Sequence, residues 1–162
     1  MKPDIVDKLF SEYYNEALLY TVSICRNKTV AEDIVSNAFF KALMLSDDSI
    51  KSFKPWLFTV CRNEYISQYR KNSRIDKEEL SEELADNRDE IIETIIRKEE
   101  YRSLYRAIEL LPDTQREIIT LFYFSNLSVK DIAGIIGKSE INVKVQLFRA
   151  RERLKNLMED VR

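Results

Sequence analysis

The sequence of 162 residues contains only two glycines and three prolines, and this scarcity limits the folds that it can adopt. Glycine and proline are the residues that most often form tight turns and end helices. Leu, Ile, Glu, Lys and Arg are abundant instead, and all of them are compatible with long helices. Apolar residues recur at intervals of three and four. The sequence therefore predicts an all-α protein.

The apolar periodicity predicts seven helices and no strand. They are expected at residues 4–25, 29–45, 54–72, 90–110, 113–124, 128–136 and 139–158.

A change of composition divides these helices into two groups. Residues 76–93 carry nine acidic side chains against Lys77 and Arg88, which disfavours a packed core. We expect a three-helix domain at 1–74, an acidic linker at 75–96 and a four-helix domain at 97–162. A solvated tether is the simplest interpretation of the linker. The alternative is an acidic strip that competes with nucleic acid for basic surfaces.

What the sequence lacks disfavours several classes of function. It has no histidine, which is a usual ligand of zinc and haem and the most common general base, so these functions are disfavoured. Cys25 and Cys61 lie far apart in predicted helices and are expected to be buried, reduced thiols. We recognise neither a membrane span nor a signal peptide. We expect a cytoplasmic protein that is not an enzyme and holds no metal or cofactor.

The net charge of −2 conceals two basic segments. Residues 62–74 carry four basic side chains against one acid, and residues 138–155 carry six against two. Either segment alone could be an ordinary solvated helix face. Two of them, one in each predicted domain, favour contact with nucleic acid through its phosphates.

Both glycines fall in a segment that predicts a helix–turn–helix. Ser128 and Asp131 form a capping-box pattern at the start of one helix. Gly137 is placed to end that helix with a left-handed residue, and Ser139 can cap the next helix. Gly134 either permits close contact between helices or is simply tolerated.

The helix that follows this turn has two different faces. The inward stripe is predicted to be Val143, Leu147, Ala150 and Leu154. The opposite arc carries Lys144, Val145, Gln146, Phe148 and Arg149. Arg and Gln can pair with base edges, Lys with phosphates, and Val or Phe with a thymine methyl. This arc predicts a helix that reads the major groove; an ordinary surface helix is the alternative.

The first half of the chain carries large apolar residues among polar ones. On residues 31–45 a broad stripe containing Ile34 and Val35 faces the core, and a second face carries Asp33, Asn37, Phe40 and Met44. The second face is either a protein interface or is buried against the first helix, in which case Phe40 and Met44 belong to the core. In residues 53–71 aromatic and basic side chains alternate, as in surfaces that bind unpaired bases. Of these aromatics, Trp56 and Phe58 are expected to be buried.

Three segments resemble the sequence blocks of sigma-70 family factors, and most closely those of the extracytoplasmic-function group. They are "AEDIVSNAFFKAL", "FKPWLFTVCRNEYISQYR" and "LPDTQREIITLFYFSNLSVKDIAGIIGKSEINVKVQLFRARERL". Factors of this group consist of regions two and four joined by a variable linker, which matches the layout of this chain. The resemblance implies a transcription initiation factor that binds core RNA polymerase and promoter DNA and helps to open the promoter. It also implies an anti-sigma protein as a further partner.

The resemblance assigns expected roles to individual residues. Contact with the clamp helices of the largest polymerase subunit is expected from Asp33, Ser36, Asn37 and Phe40. Capture of the minus-ten element is expected from the loop at 46–54 and the helix after it, with Asp48, Ser49, Lys51, Lys54, Arg62 and Asn63. Binding of the minus-thirty-five element is expected from Arg116, Ser139, Lys144, Gln146, Phe148 and Arg149.

The sequence also departs from the family. Ser36 and Asn37 stand where Gln-Glu is common in the helix that docks on polymerase. In the helix that reads DNA, Asn142, Val145 and Gln146 differ from the residues common in the family, so an unusual promoter sequence is expected. Two other functions remain open from the sequence. A helix–turn–helix regulator that binds duplex operators without polymerase would explain residues 128–151 only. A helical adaptor protein would leave both basic segments unexplained.

Overall fold

The structure, a computed structural model, describes residues 1–45, 52–69 and 99–160. Within these ranges the chain forms seven α-helices, two π-helical turns and no strand. The helices are α1 (Pro3–Cys25), α2 (Lys28–Met44), α3 (Phe53–Glu64), α4 (Glu99–Ile108), α5 (Asp113–Ile119), α6 (Val129–Ile136) and α7 (Glu140–Asp160). The π turns at Tyr65–Tyr69 and Thr120–Phe124 continue α3 and α5. The all-α prediction is confirmed.

Parts of some predictions lie outside the described residues. These are the ends of two predicted helices at 70–72 and 90–98 and the whole predicted linker at 75–96. The chain divides into two compact units, one within residues 1–85 and the other within residues 86–162. Among the described residues, no helix has the length and apolarity needed to cross a bilayer.

The first unit packs α1, α2 and α3 around one apolar core. Tyr20 of α1 meets Phe58 of α3 edge to face, with ring centroids 5.2 Å apart. At the edge of the core, the buried carboxylate of Glu64 accepts a 2.8 Å hydrogen bond from the Lys41 ammonium and so joins α3 to α2. The buried stripe of α2 consists of Ala31, Ile34, Val35, Ala38, Phe39 and Ala42.

The open question about Phe40 and Met44 is answered by this packing. Both side chains are exposed, at 62% and 74% of their surface, so they do not belong to the core. Of the two aromatics expected to be buried, Phe58 is fully buried and Trp56 is half-buried. The prediction for Trp56 was thus too strong, because this ring lies on Phe53 near the first turn of α3, with 5.7 Å between the ring centroids.

In the second unit, α4, α5 and α6 each pack against α7. The stripe of α7 that faces them is the predicted one, Val143, Leu147, Ala150 and Leu154, and all four side chains are buried. Tyr105 of α4 packs edge to face on Phe124, with centroids 5.7 Å apart. The orientation of α7 is therefore fixed by an apolar stripe on one side of the helix.

Both cysteines are free and buried, as predicted. Burial raises the pKa of Cys25 to about 12 and that of Cys61 to about 12. The Cys25 thiol donates to the Asn27 carbonyl oxygen, at 3.3 Å. The native fold therefore favours the protonated form of both thiols.

We predict that neither thiol reacts rapidly with an aromatic disulfide reagent in the native protein and that both react in denaturant. Both native pKa values lie above the usual value of 9.0. The protonated thiols therefore favour the folded state fully below that pH, and this stabilisation declines as the pH rises above it, because the unfolded chain loses these protons first. Absorbance of the released thiolate measures the reaction. Rapid reaction of either cysteine under native conditions would contradict the burial described here.

The two glycines have different roles. Gly137 adopts the left-handed conformation with φ 69°, and ends α6. Gly134 is exposed, and a methyl group added at its Cα would meet no atom within 4 Å. Close contact between helices therefore does not explain Gly134. The other interpretation from the sequence, that glycine is simply tolerated here, agrees with this.

Replacing each glycine by alanine should accordingly have opposite effects. Gly134→Ala should raise the free energy of unfolding by about 0.5–1 kcal/mol, because alanine loses less backbone entropy in a helix. Gly137→Ala should lower it by about 1–2 kcal/mol, because a left-handed Cβ clashes with the following carbonyl. Urea unfolding followed by circular dichroism measures both. Destabilisation by Gly134→Ala would show that this position does contact another group.

Candidate nucleic-acid and partner interfaces

The predicted helix–turn–helix is formed by α6, a short turn and α7. The Ser128 hydroxyl accepts a 3.1 Å hydrogen bond from the Asp131 amide at the start of α6. At the other end, the Lys138 amide donates to the Ala133 carbonyl at 3.1 Å, the pattern that closes a helix after a left-handed residue. The Ser139 hydroxyl then accepts from the Asn142 amide at 3.1 Å and starts α7. The predicted caps are confirmed.

The outer face of α7 is both apolar and basic. Phe148 is 65% exposed, and Ile141 and Val145 are also exposed. These three residues are four and three positions apart, so they form one continuous stripe on the helix. Exposed basic residues accompany them: Lys144, Arg149, Arg151, Arg153 and Lys155. Such a face can meet base edges with its centre and phosphates with its edges.

Three of the six residues expected to bind the minus-thirty-five element lie on this face. Lys144, Phe148 and Arg149 are exposed, and Gln146 is half-buried. Ser139 is exposed at the start of α7, where its hydroxyl caps the helix and can still donate its proton. Four of these five residues thus lie on α7, and Ser139 caps its start.

Arg116 does not join them. Only 5% of its surface is exposed. Its guanidinium donates to the Leu111 carbonyl at 3.1 Å and to the Asp113 carboxylate at 2.6 Å. In this structure Arg116 therefore connects the segment before α5 to the first turn of that helix. The sequence pattern does not distinguish this internal arginine from the exposed ones on α7.

A second candidate surface is the outer face of α2. Asp33, Ser36, Asn37 and Phe40 are all exposed there, and Met44 continues the face by one further turn. Carboxylate, hydroxyl and amide groups thus stand next to two large apolar side chains. This mixture is typical of the centre and rim of a protein interface.

A surface groove adjoins this face beside α1. It is lined by Tyr14, Thr29, Val30, Glu32, Asp33 and Ser36. Burial raises the pKa of Tyr14, the Glu32 carboxylate raises it further, and Lys28 opposes them. Lys28 and Glu32 form an ion pair of 3.9 Å. The tyrosine is therefore a neutral hydrogen-bonding group at one edge of the face.

The residues expected to bind the minus-ten element are only partly described. Asp48, Ser49 and Lys51 lie outside the described residues. Asn63 is exposed and Arg62 is half-buried, both near the end of α3.

Lys54 is held inside the first unit more firmly than the sequence suggested. Its ammonium lies 2.8 Å from Glu16 Oε2, as an ion pair without hydrogen-bond geometry, and 5.6 Å from the centre of the Tyr13 ring. Its side chain is 20% exposed. The charge of Lys54 is therefore largely balanced by α1.

Two features of the second unit were missed by sequence analysis. The first is exposed Ile141, which the spacing to Val145 and Phe148 could have revealed. The second is a contact between Arg151 and Tyr123, which lie 28 residues apart. No sequence periodicity could have predicted that contact.

Comparison with protein families gives two matches in this chain. Residues 9–75 match the model of sigma-70 region 2. Residues 101–154 match the model of sigma-70, region 4. The first match contains α2 and α3, and the second contains the helix–turn–helix.

Individual relatives match over most of their length. The extracytoplasmic-function RNA polymerase sigma factor SigM of Bacillus subtilis is 31% identical over 156 residues, which cover 94% of each chain. The corresponding factor EcfG of Rhodopseudomonas palustris is 31% identical, covering 86% of this chain and 77% of the relative. The crystallised sigma factor RpoE of Bartonella quintana, in complex with the anti-sigma factor NepR, has a TM-score of 0.65 and 27% identity. That match covers 96% of this chain and 99% of the other.

Proposed function

The chain belongs to the sigma-70 family of RNA polymerase sigma factors, in the extracytoplasmic-function group, and on this premise we propose how its surfaces serve initiation. As a member of this family it binds core RNA polymerase and directs promoter recognition and DNA opening for transcription initiation. Its family consists of non-catalytic transcription initiation factors, and we propose that this chain acts in the cytoplasm together with the polymerase, which supplies the chemistry. The assignment of individual residues is the proposal.

The observation that carries the proposal is that each unit presents its own exposed face. In the first unit, exposed Phe40 and Met44 stand beside polar groups on α2. In the second, a capped helix–turn–helix exposes Phe148 among basic residues. The function of a regulator that binds only duplex operators would not explain the first face. An adaptor without nucleic acid has no use for the second.

We assign the outer face of α2 to core polymerase. Phe40 and Met44 would enter a pocket between helices of the partner, and Asp33, Ser36 and Asn37 would form hydrogen bonds at the rim. Aromatic and Met side chains at the centre of a contact commonly contribute much of its binding energy. The absence of Gln and Glu at positions 36 and 37 leaves the rim with a shorter, uncharged pair of side chains.

We assign the outer face of α7 to the minus-thirty-five element. Arg149 and Gln146 would pair with base edges, Lys144 and Ser139 with phosphates, and Phe148 with a thymine methyl or a sugar. Arg116 is left out of this contact set, because its guanidinium already binds Leu111 and Asp113. It supports α7 indirectly, through the position of α5.

For the minus-ten element the proposal relies on Arg62 and Asn63, with Asp48, Ser49 and Lys51 as the further candidates. Lys54 contributes less, since contact with DNA would require it to leave Glu16 and Tyr13. A base taken out of the duplex is stabilised when it finds a stacking or hydrogen-bonding site. An anti-sigma protein is a further proposed partner, as in the complex of the Bartonella relative with NepR.

The decisive experiment is size-exclusion chromatography of the protein with bacterial core RNA polymerase, followed by run-off transcription from genomic fragments. Co-elution and discrete transcripts that require the protein are expected. A protein that elutes separately but shifts duplex DNA would be an operator-binding regulator instead. A protein that does neither would be an adaptor.

Replacing Phe40 by alanine should weaken binding to core polymerase by about 2 kcal/mol or more, because an aromatic anchor at the centre of the contact is lost. Met44→Ala should act in the same direction. Fluorescence anisotropy of labelled protein titrated with core enzyme measures the affinity. Leu110→Ala is the matched control, since Leu110 is as exposed as Phe40 but lies in the other unit, after α4. Equal affinities for the Phe40→Ala variant and the wild type would remove α2 from the proposed interface.

Replacing Arg149 by alanine should reduce promoter-directed transcription. The variant loses a base contact of a kind that contributes about 1–3 kcal/mol to discrimination against the wrong base. Arg149 is exposed, so co-elution with core polymerase and thermal stability should remain those of the wild type. Run-off transcription at limiting concentrations measures the effect. Equal transcript levels from the variant and the wild type would refute the assignment.

A further inference from the structure

Arg151 is an exposed arginine that the second unit holds in a defined position. Its Nε–H donates a 2.7 Å hydrogen bond to Tyr123 Oη. Its guanidinium carbon also lies 5.4 Å from the centre of the Phe122 ring and 5.6 Å from that of Tyr123. An exposed arginine usually samples many rotamers. Here two aromatic rings and one hydrogen bond restrict it.

The two rings come from the π turn that ends α5. The turn closes with a 3.3 Å hydrogen bond from the Ser125 amide to the Thr120 carbonyl, five residues apart. A π turn holds more residues than an α turn and often occurs at functional sites. The Phe122 and Tyr123 rings are packed edge to face, with 5.1 Å between their centroids. The turn thus supplies a rigid aromatic support next to α7.

The position of Arg151 on α7 is at one edge of the outer face. At about 100 degrees per residue, Arg151 lies about 20 degrees from Lys144 around the helix and about 10 Å further along it. Lys155 continues the same edge, and Arg153 lies along the opposite edge, beyond Arg149, which is proposed to read a base. Basic residues therefore border the apolar stripe on both sides. A helix in a major groove needs cations in these two places, because a phosphate backbone passes on each side.

We propose that Tyr123 positions Arg151 to bind a phosphate of the duplex beside the helix that reads it. The inference rests on the proposed function of α7. Donation of Nε–H to Tyr123 leaves the two terminal amino groups, which can donate in parallel to the oxygens of one phosphate. Because the side chain is already ordered, less conformational entropy is lost on binding. Arg151 is the contact and Tyr123 is the positioning residue.

The test uses holoenzyme reconstituted with core polymerase and a promoter fragment found by the run-off experiment. Promoter affinity is measured by filter binding at several salt concentrations for Arg151→Ala, Tyr123→Phe and the double variant. Arg151→Ala should weaken binding about tenfold, as expected for a charge-assisted hydrogen bond. The slope of log affinity against log salt should fall in magnitude by about 0.9, the value for one phosphate.

Tyr123→Phe keeps the ring and removes only the hydroxyl. It should weaken binding by about two- to tenfold, from the renewed freedom of Arg151. In the Arg151→Ala background it should have no further effect, because the residue that it positions is gone. Tyr101→Phe is the matched control: Tyr101 and Tyr123 are both 45% exposed and belong to the same unit. This control should bind as the wild type does.

Two results would overturn the inference. One is an unchanged affinity and salt slope for Arg151→Ala, which would show that the pair serves the fold alone. The other is an equal loss from Tyr123→Phe with and without Arg151, which would show that the hydroxyl acts independently. Both results presuppose that the wild-type holoenzyme binds its promoter. If the wild type forms no holoenzyme, the proposed function itself fails, so the two failures are distinguishable.

Discussion

Burial of one apolar stripe on each long helix decides which residues this protein can offer to a partner. On α7 the stripe from Val143 to Leu154 is buried against α4, α5 and α6, which turns Phe148 and Arg149 outwards. On α2 the stripe around Ile34 and Ala38 has the same effect on Phe40. Since the buried side chains interdigitate at crystal-like density, neither helix can rotate to hide its outer face without losing its core contacts.

The turn between α6 and α7 depends on a single backbone conformation. Gly137 takes up positive φ, and Ser128 and Ser139 satisfy amides that the two helix starts would otherwise leave without partners. These short-range hydrogen bonds fix where each helix begins and ends. They therefore fix which turn of α7 carries Lys144 and which carries Arg149, the two residues with different proposed roles at DNA.

Some basic side chains of this protein bind groups within the fold, and others are exposed to a partner. Arg116 and Lys54 bind groups of neighbouring helices and turns, and Lys41 neutralises the buried carboxylate of Glu64. Arg151 belongs to both groups, because it is exposed and yet held by Tyr123. Basic residues that look alike in the sequence thus include some that support the fold, some that are exposed for contact, and Arg151, which does both.

Local rules account for what the sequence determined by itself. The all-α class, the serine caps, the left-handed Gly137 and the inward stripe of α7 all follow from relations between residues at most a few turns apart, and all were predicted. Packing between helices decided the rest: whether Phe40 is exposed, that Arg116 is buried, and that Arg151 meets Tyr123. These outcomes depend on which distant segments come into contact. Periodicity along one helix shows which face is apolar, but only the tertiary structure shows what lies against it.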